Sequence, residues 1–308
     1  MTFKYCVVIN REFIKVSKQR IGWIGTGVMG ASMCGHLLSA GYPLTVTSRT
    51  CNKADTLIQQ GASWCETPAE VSAQADIVFT TVGRPDEVRE VYFGEMGVFT
   101  GLQAGAIVVD MGTTPPSLSR EIAERAISLG AHAVDAPVSG GDVGARNASL
   151  SVMAGGEEDI VDSIRPLFDC MARTVAWMGE SGNGQHSKMA NQLAVAGTMI
   201  GVCEALVYAA RAGVDLEKLV AVISKGAAGC WTLDNLAPRI ISGDDAPGFM
   251  VDHFVKDLGI ALQESEQMGL SLPGLELASR LYRELQIIGH GRSGTQALVY
   301  AIKQLPAS

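Results

Sequence analysis

Between Arg20 and Thr50 the chain reads "RIGWIGTGVMGASMCGHLLSAGYPLTVTSRT". The apolar "IGWI" is a buried-strand pattern, Gly25, Gly27 and Gly30 set out G-x-G-x-x-G, and "ASMCGHLLSAG" follows with helical spacing and a glycine stop. Few folds accept that order. Gly25 permits the tight turn, Gly27 lets backbone approach a pyrophosphate, and Gly30 lets helix and strand pack closely, with the phosphates at the positive helix end. A glycine-rich turn without a ligand is the competing reading of the fingerprint alone, and the next strand, "PLTVT", favours the dinucleotide. Thr26, Val28 and Met29 lie inside the same turn and are expected among the cofactor contacts.

The end of the second strand bears on which dinucleotide it is. NAD-binding turns usually place an Asp or Glu there to hold the ribose 2′-OH. This chain has Ser48, Arg49 and Thr50. A guanidinium pairs with a 2′-phosphate and the two hydroxyls can donate to it. NADP(H) is therefore expected, with NAD as the alternative and an ordinary solvated Arg49 as the competing reading.

The pattern continues with short apolar strands, "ADIVFTTV", "GAIVVDMG", "AHAVDAP" and "LSVMAGG", separated by helical segments such as "PPSLSREIAERAISLG". Such alternation means an α/β fold with a largely parallel sheet and ligands at the carboxyl ends of its strands. Three loops leave such ends. The first, with Val82 and Gly83, is placed to lie over the cofactor, although its pattern is common to such loops. The second carries Thr113 and Thr114 before two prolines; Thr113 is assigned to the ligand and Thr114 to capping the next helix. The third, "DAPVSGG", offers the Ser139 hydroxyl and the backbone N–H groups of Gly140 and Gly141 as a nest for a carboxylate, with a plain turn as the alternative.

A chain of 308 residues with 47% apolar content exceeds what one core readily organises, so two domains are expected. A net charge of −8 with no Lys/Arg cluster argues against a nucleic-acid partner. The seven cysteines are odd in number and lack close pairing, which reads as reduced thiols rather than a disulfide scaffold or a zinc site. No metal is expected, since the histidines at 36, 132, 186, 253 and 290 show no ligand spacing. The longest apolar run, Leu193 to Cys203, is short for a membrane span. Residues 1–19 read as an N-terminal extension: a leader, an upstream start or an extra strand, the last two preferred. A cytoplasmic location is expected, with the mitochondrial matrix as the alternative.

Past residue 180, "GNGQHSKMANQ" opens a helical pattern running to Gly213, about twenty-eight residues and roughly 40 Å at 1.5 Å per residue. It marks the expected boundary between a nucleotide-binding domain at 20–183 and an all-helical domain at 184–308. Lys188, Asn191 and Gln192 fall at i, i+3 and i+4 on one face. An ammonium near a helix start opposes the macrodipole, so something other than helix stability should explain it. A lysine facing a cleft between a nicotinamide and a carboxylate nest would take or return the hydroxyl proton as hydride moves. The bland alternative is a solvent-facing lysine.

Four motifs in this order, "GWIGTGVMG", "DAPVSGG", "GNGQHSKMANQ" and "HFVKDLGIAL", resemble the β-hydroxyacid dehydrogenase family, which includes 3-hydroxyisobutyrate dehydrogenases and tartronate, glyoxylate and succinic semialdehyde reductases. The resemblance runs from Arg20 to about Leu305. It implies a Rossmann-type domain, a helical domain joined by the long helix, and an active site between them in a homo-dimer or homo-tetramer. By motif position, Lys188 is the catalytic lysine. Ser139, Gly140 and Gly141 hold a small substrate's carboxylate, and Asn191 binds substrate or orients the lysine. Thr113 contacts substrate or nicotinamide, and Lys256 covers the cofactor with Asp257 beside it. Phe254 and Trp231 contribute an apolar wall, with core packing as the alternative for Trp231. Two departures stand out. Gln192 replaces a second asparagine found in some members, which is closer to tartronate semialdehyde reductases, and Gly112 replaces a hydroxyl-bearing residue. A cofactor-binding module used for recognition without turnover shares the glycine fingerprint but has no need of Lys188, Asn191 and Ser139 together.

Overall fold

The computed structural model describes residues 18–305. The expected extension therefore lies almost wholly outside the described residues.

Six short strands form a parallel sheet: β1 (Ile21–Ile24), β2 (Leu44–Thr47), β3 (Ser63–Trp64), β4 (Ile77–Thr80), β5 (Ile107–Asp110) and β6 (His132–Asp135), in the order β3-β2-β1-β4-β5-β6. All four residues of β1, β4 and β5 are buried, as a sheet covered by helices on both faces requires. Trp23 stacks on Phe79 at 5.2 Å between ring centroids, and Phe79 meets Phe168 edge-on at 6.2 Å. The strand order reverses between β1 and β4, which opens a crevice at their carboxyl ends.

The strand read from "LSVMAGG" does not join that sheet. Leu150–Ala154 (β8, after β7 at Val138–Ser139) pairs antiparallel with β7 and parallel with β9 (Ala172–Trp177) in a separate three-stranded sheet. Only Ala136 and Pro137 separate β6 from β7, too few residues for a crossover, so the chain leaves the parallel sheet there and β8 returns antiparallel to β7 after the short Gly141–Arg146 helix.

After β9 every regular element is helical. Asn183–Arg211 is one 29-residue helix, called here the lysine helix. By length and mean hydropathy it could cross a membrane, which the apolar run Leu193–Cys203 alone did not suggest. Here Met189, Ala196, Met199, Ile200 and Cys203 pack instead on Phe254, Leu258 and Ala261 of the Val251–Gln267 helix and on Leu281 and Tyr282 of the Pro273–Leu285 helix.

The glycine turn divides its work as the sequence suggests. Gly25 has φ of +98°, and a Cβ there would lie 2.4 Å from the Thr81 carbonyl oxygen. A Cβ on Gly30 would lie 2.1 Å from the Gly25 oxygen, whereas one on Gly27 would meet no protein atom within 4 Å. Gly30→Ala should therefore destabilise the fold by about 2 kcal/mol through overpacking. Gly27→Ala should stay within about 1 kcal/mol of the wild type, a helix-cap effect alone. Urea denaturation of the two variants checks the contrast; equal losses would contradict it.

Candidate active site

The carboxyl end of β6 starts the site. Asp135 is buried, and its carboxylate accepts the Gly182 N–H at 2.8 Å and the Gln185 N–H at 2.9 Å. It thus caps the lysine helix from across the fold, filling donors that the helix start leaves open. Burial pushes the Asp135 carboxyl up to about 6, against the lowering effect of those N–H groups.

Gln185, fully buried one turn before Lys188, clamps the loop after β5. Its Oε1 accepts the Thr114 N–H at 3.1 Å and its Nε2 donates to the Gly112 carbonyl at 2.9 Å. Thr114 does not cap the following helix, Pro116–Ser128, whose cap position is Pro115. Its hydroxyl turns inward, 3.3 Å from Asp110 Oδ2, while Asp110 Oδ1 accepts from the Thr80 hydroxyl at 2.9 Å and the Gly112 N–H at 3.1 Å. Burial raises the Asp110 carboxyl above the usual range. Gly112 suits this packing: a Cβ there would lie 2.9 Å from the Val82 oxygen and 3.2 Å from Asp110 Oδ1.

Lys188 is 8% exposed, and its Nζ donates to the Val138 carbonyl at 2.8 Å, one residue before Ser139. The lysine therefore sits against the Ser139–Gly141 turn. Gly140 and Gly141 both have positive φ, +130° and +64°. Burial lowers the Lys188 ammonium to about 8; Asp257 acts in the opposite direction, and Lys256 lowers it further. Asn191 Nδ2 donates to Gln192 Oε1 at 2.8 Å, and Gln192 Nε2 donates to Asp257 Oδ2 at 2.6 Å. Asp257 Oδ1 pairs with Lys256 Nζ at 2.8 Å, which in turn donates to the Thr113 carbonyl at 2.6 Å. Lys256 and Asp257 are thus no exposed pair: their side chains are 20% and 3% accessible.

The two residues expected in an apolar wall differ in exposure. Phe254 has no exposed surface; its ring packs edge-on against Tyr282 at 4.8 Å and Phe249 at 5.6 Å inside the helical core. Trp231 is not core, being 56% exposed at the start of the Trp231–Asn235 helix.

At the other end of the crevice, Gly27, Val28, Val82 and Gly83 all keep exposed surface, and Met29 packs partly on the sheet core. The Thr26 and Thr81 hydroxyls are buried without a protein partner at the carboxyl ends of β1 and β4. Two orphaned hydroxyls beside the open Cβ direction of Gly27 fit a ligand with phosphate oxygens at the strand-order reversal. The Thr26 N–H donates to Ser48 Oγ at 3.4 Å. Arg49 is 82% exposed and pairs with Glu87 Oε1 at 2.5 Å, while Thr50 is exposed beside it.

A dinucleotide crevice facing a desolvated lysine defines a pyridine-nucleotide-dependent oxidoreductase. The comparisons with known proteins agree. Residues 20–179 match the family model described as the NAD-binding domain of 6-phosphogluconate dehydrogenase, and residues 182–302 match that of NADP-dependent 3-hydroxyisobutyrate dehydrogenase. The chain belongs to the β-hydroxyacid dehydrogenase family and is a 3-hydroxyisobutyrate dehydrogenase-like NAD(P)-dependent enzyme acting on a CH–OH group. It is 51% identical to a probable mitochondrial 3-hydroxyisobutyrate dehydrogenase-like protein of Arabidopsis thaliana, over 96% of this chain and 89% of that one. It is 35% identical to the 2-hydroxy-3-oxopropionate reductase of Escherichia coli, over 92% and 97%. Among solved structures, the Mycobacterium tuberculosis 3-hydroxyisobutyrate dehydrogenase with L-serine superimposes with a TM-score of 0.84 at 28% identity, over 93% of this chain and 99% of that one.

Sequence reasoning missed Asp135, Gln185 and Thr81. Gln185 carried a signal, since it precedes Lys188 by three and so shares its face. Gln185→Leu keeps the volume but leaves the Thr114 N–H and Gly112 carbonyl buried and unpaired. It should cost about 3 kcal/mol of stability, measured by urea denaturation; a loss below about 1 kcal/mol would show that the clamp is dispensable.

Proposed function

We propose that the chain is an NADP(H)-preferring reductase of a small carboxylate-bearing semialdehyde, with residues 20–183 holding the cofactor and residues 184–308 completing the substrate site and the subunit contacts of a homo-dimer or homo-tetramer. The carrying observation is the buried Lys188 ammonium, 2.8 Å from the Val138 carbonyl at the edge of the Ser139–Gly141 nest. When bound, the nicotinamide supplies or accepts the hydride. The nest holds the substrate carboxylate through the Ser139 hydroxyl and the glycine N–H groups, which orients the reacting carbon. Lys188 donates its proton to the aldehyde oxygen in reduction and takes the hydroxyl proton in oxidation, and Asn191 orients the lysine. Thr113 and Lys256 close the loop side of the cofactor. A recognition module without turnover has no use for a lysine stripped of water at this position.

The direction follows from acidity. With the Lys188 ammonium lowered to about 8, the group is mostly protonated at pH 7 and ready to act as an acid. The kcat/KM for semialdehyde reduction should fall as pH rises through about 8, where Lys188 loses its proton, and that for alcohol oxidation should rise over the same range. Lys188→Ala should lower kcat by about 10²- to 10⁴-fold while NADPH still binds, and should abolish that pH limb. The assay is NADPH oxidation with small semialdehydes and glyoxylate, run beside NADH; near-normal turnover of Lys188→Ala would remove the lysine from the chemistry.

Arg49 supports the NADP(H) preference, because its only ion-pair partner among the described residues is Glu87 at a largely exposed site. Such a surface pair is weak and can be exchanged for a 2′-phosphate. Arg49→Ala should raise the KM for NADPH about tenfold and leave that for NADH unchanged. Equal effects on the two, or faster wild-type turnover with NADH, would refute the assignment.

A further inference from the structure

Gln192 departs from the second asparagine of some relatives, yet it is 2% exposed and offers substrate no surface. Its partners say what it does instead. A carboxylate can only accept hydrogen bonds, so the contact of 2.6 Å with Asp257 Oδ2 must be made by the Gln192 Nε2. The Gln192 Oε1 is then the atom that faces Asn191, and an amide oxygen also only accepts. Asn191 must therefore present its Nδ2, at 2.8 Å, and turn its Oδ1 away from Gln192. The polarity begins further back, where Lys256 Nζ holds Asp257 Oδ1 at 2.8 Å and the Thr113 carbonyl at 2.6 Å. Both hydrogen bonds from Asp257 to Asn191 have one permitted direction.

We propose that Gln192 is a positioning residue that fixes the amide orientation of Asn191, so that an acceptor, Oδ1, is turned to the Lys188 side of the helix to orient the ammonium towards the reacting oxygen. The assignment rests on the reading of Lys188 as the group that handles the reacting oxygen and of Asn191 as the group that orients the lysine. Without Gln192 the Asn191 amide is free to turn over and present a donor to the Lys188 ammonium. The loop after β5 also enters the series through Thr113, so seating of the loop and aim of the amide are set together.

The test compares steady-state kinetics of the wild type, Gln192→Met, Gln192→Glu and Asn191→Ala, alone and with Gln192→Met combined with Asn191→Ala. Gln192→Met removes both bonds at similar volume. It should lower kcat about tenfold with NADPH affinity preserved, should lower the melting temperature because the buried Asp257 Oδ2 loses its partner, and should cost nothing further in kcat in the Asn191→Ala background. Gln192→Glu places two carboxyl groups within hydrogen-bond distance, which one shared proton can bridge. In either protonation state the new carboxyl still offers an acceptor to Asn191, so that variant should keep a higher kcat than Gln192→Met, an ordering that loss of packing alone would not produce. Unchanged kcat in Gln192→Met, a loss carried in full into the Asn191→Ala background, or a Gln192→Glu kcat no higher than that of Gln192→Met would each overturn the assignment alone. Absence of wild-type turnover on every semialdehyde would overturn the functional reading and this assignment together.

Discussion

The carboxylate of Asp135, receiving two N–H groups from the start of the lysine helix, is the contact on which the site depends. Its own position comes from the end of β6, so the sheet sets the height and direction of a helix that begins some fifty residues later. The capping is electrostatically apt. An anion at the positive end of the macrodipole offsets the field that a lysine one turn further on would otherwise meet. The same segment then supplies the Val138 carbonyl to the Lys188 ammonium. One stretch of chain, Asp135 to Ser139, both anchors the helix and receives its lysine, which ties the distance between Lys188 and the Gly140–Gly141 nest to backbone geometry.

Much of this was legible because it is local. The strand, glycine turn and helix follow one another within thirty residues, and each glycine's role is written in its offset from the others. Lys188 was legible as an anomaly, a charge where the helix dipole and an apolar pattern both disfavour one. What escaped were partnerships across long separations. Periodicity assigns a face to Gln185 or Gln192 but says nothing of which carbonyl or carboxylate meets it, and Asp135 looks like any acid at a strand end. Phe254 shows the limit of reading by proximity in sequence. It stands two residues before Lys256, and positions two apart on a helix point to different sides, so the lysine reaches the Thr113 loop while the ring enters the core between Phe249 and Tyr282. Thr114 misleads in a similar way: a threonine before two prolines suggests a cap, but the helix takes Pro115 at that position and the hydroxyl joins the Asp110 cluster.

The two ends of the crevice are built on different physical terms. Around Lys188 most polar groups are buried in hydrogen bonds, so substitution leaves a donor or acceptor stranded away from water, a costly outcome. Around Arg49 the contact is an ion pair in solvent, where screening and side-chain freedom leave little net energy. Evolution can alter the second at small cost in stability and the first only with compensating changes. The contact at Arg49 is thus the adjustable one in this architecture, and the hydrogen bonds around Lys188 are the constrained ones.

The ion pair of Lys256 and Asp257 joins these considerations at the lysine. Burial dominates the depressed acidity constant of Lys188, and the two members of the pair act on it with opposite signs, Asp257 favouring the ammonium and Lys256 disfavouring it. A lone carboxylate in that place would hold the proton more firmly and hinder its transfer; a lone ammonium would expel it and leave too little acid at neutral pH. Supplied as a pair, the charges orient Gln192 and the Thr113 loop through directional bonds while their effects on the reacting amine oppose one another. Orientation and acidity are thereby separated: the pair holds the Gln192 amide and the Thr113 loop, and the exclusion of water is the main cause of the lowered acidity constant of the lysine.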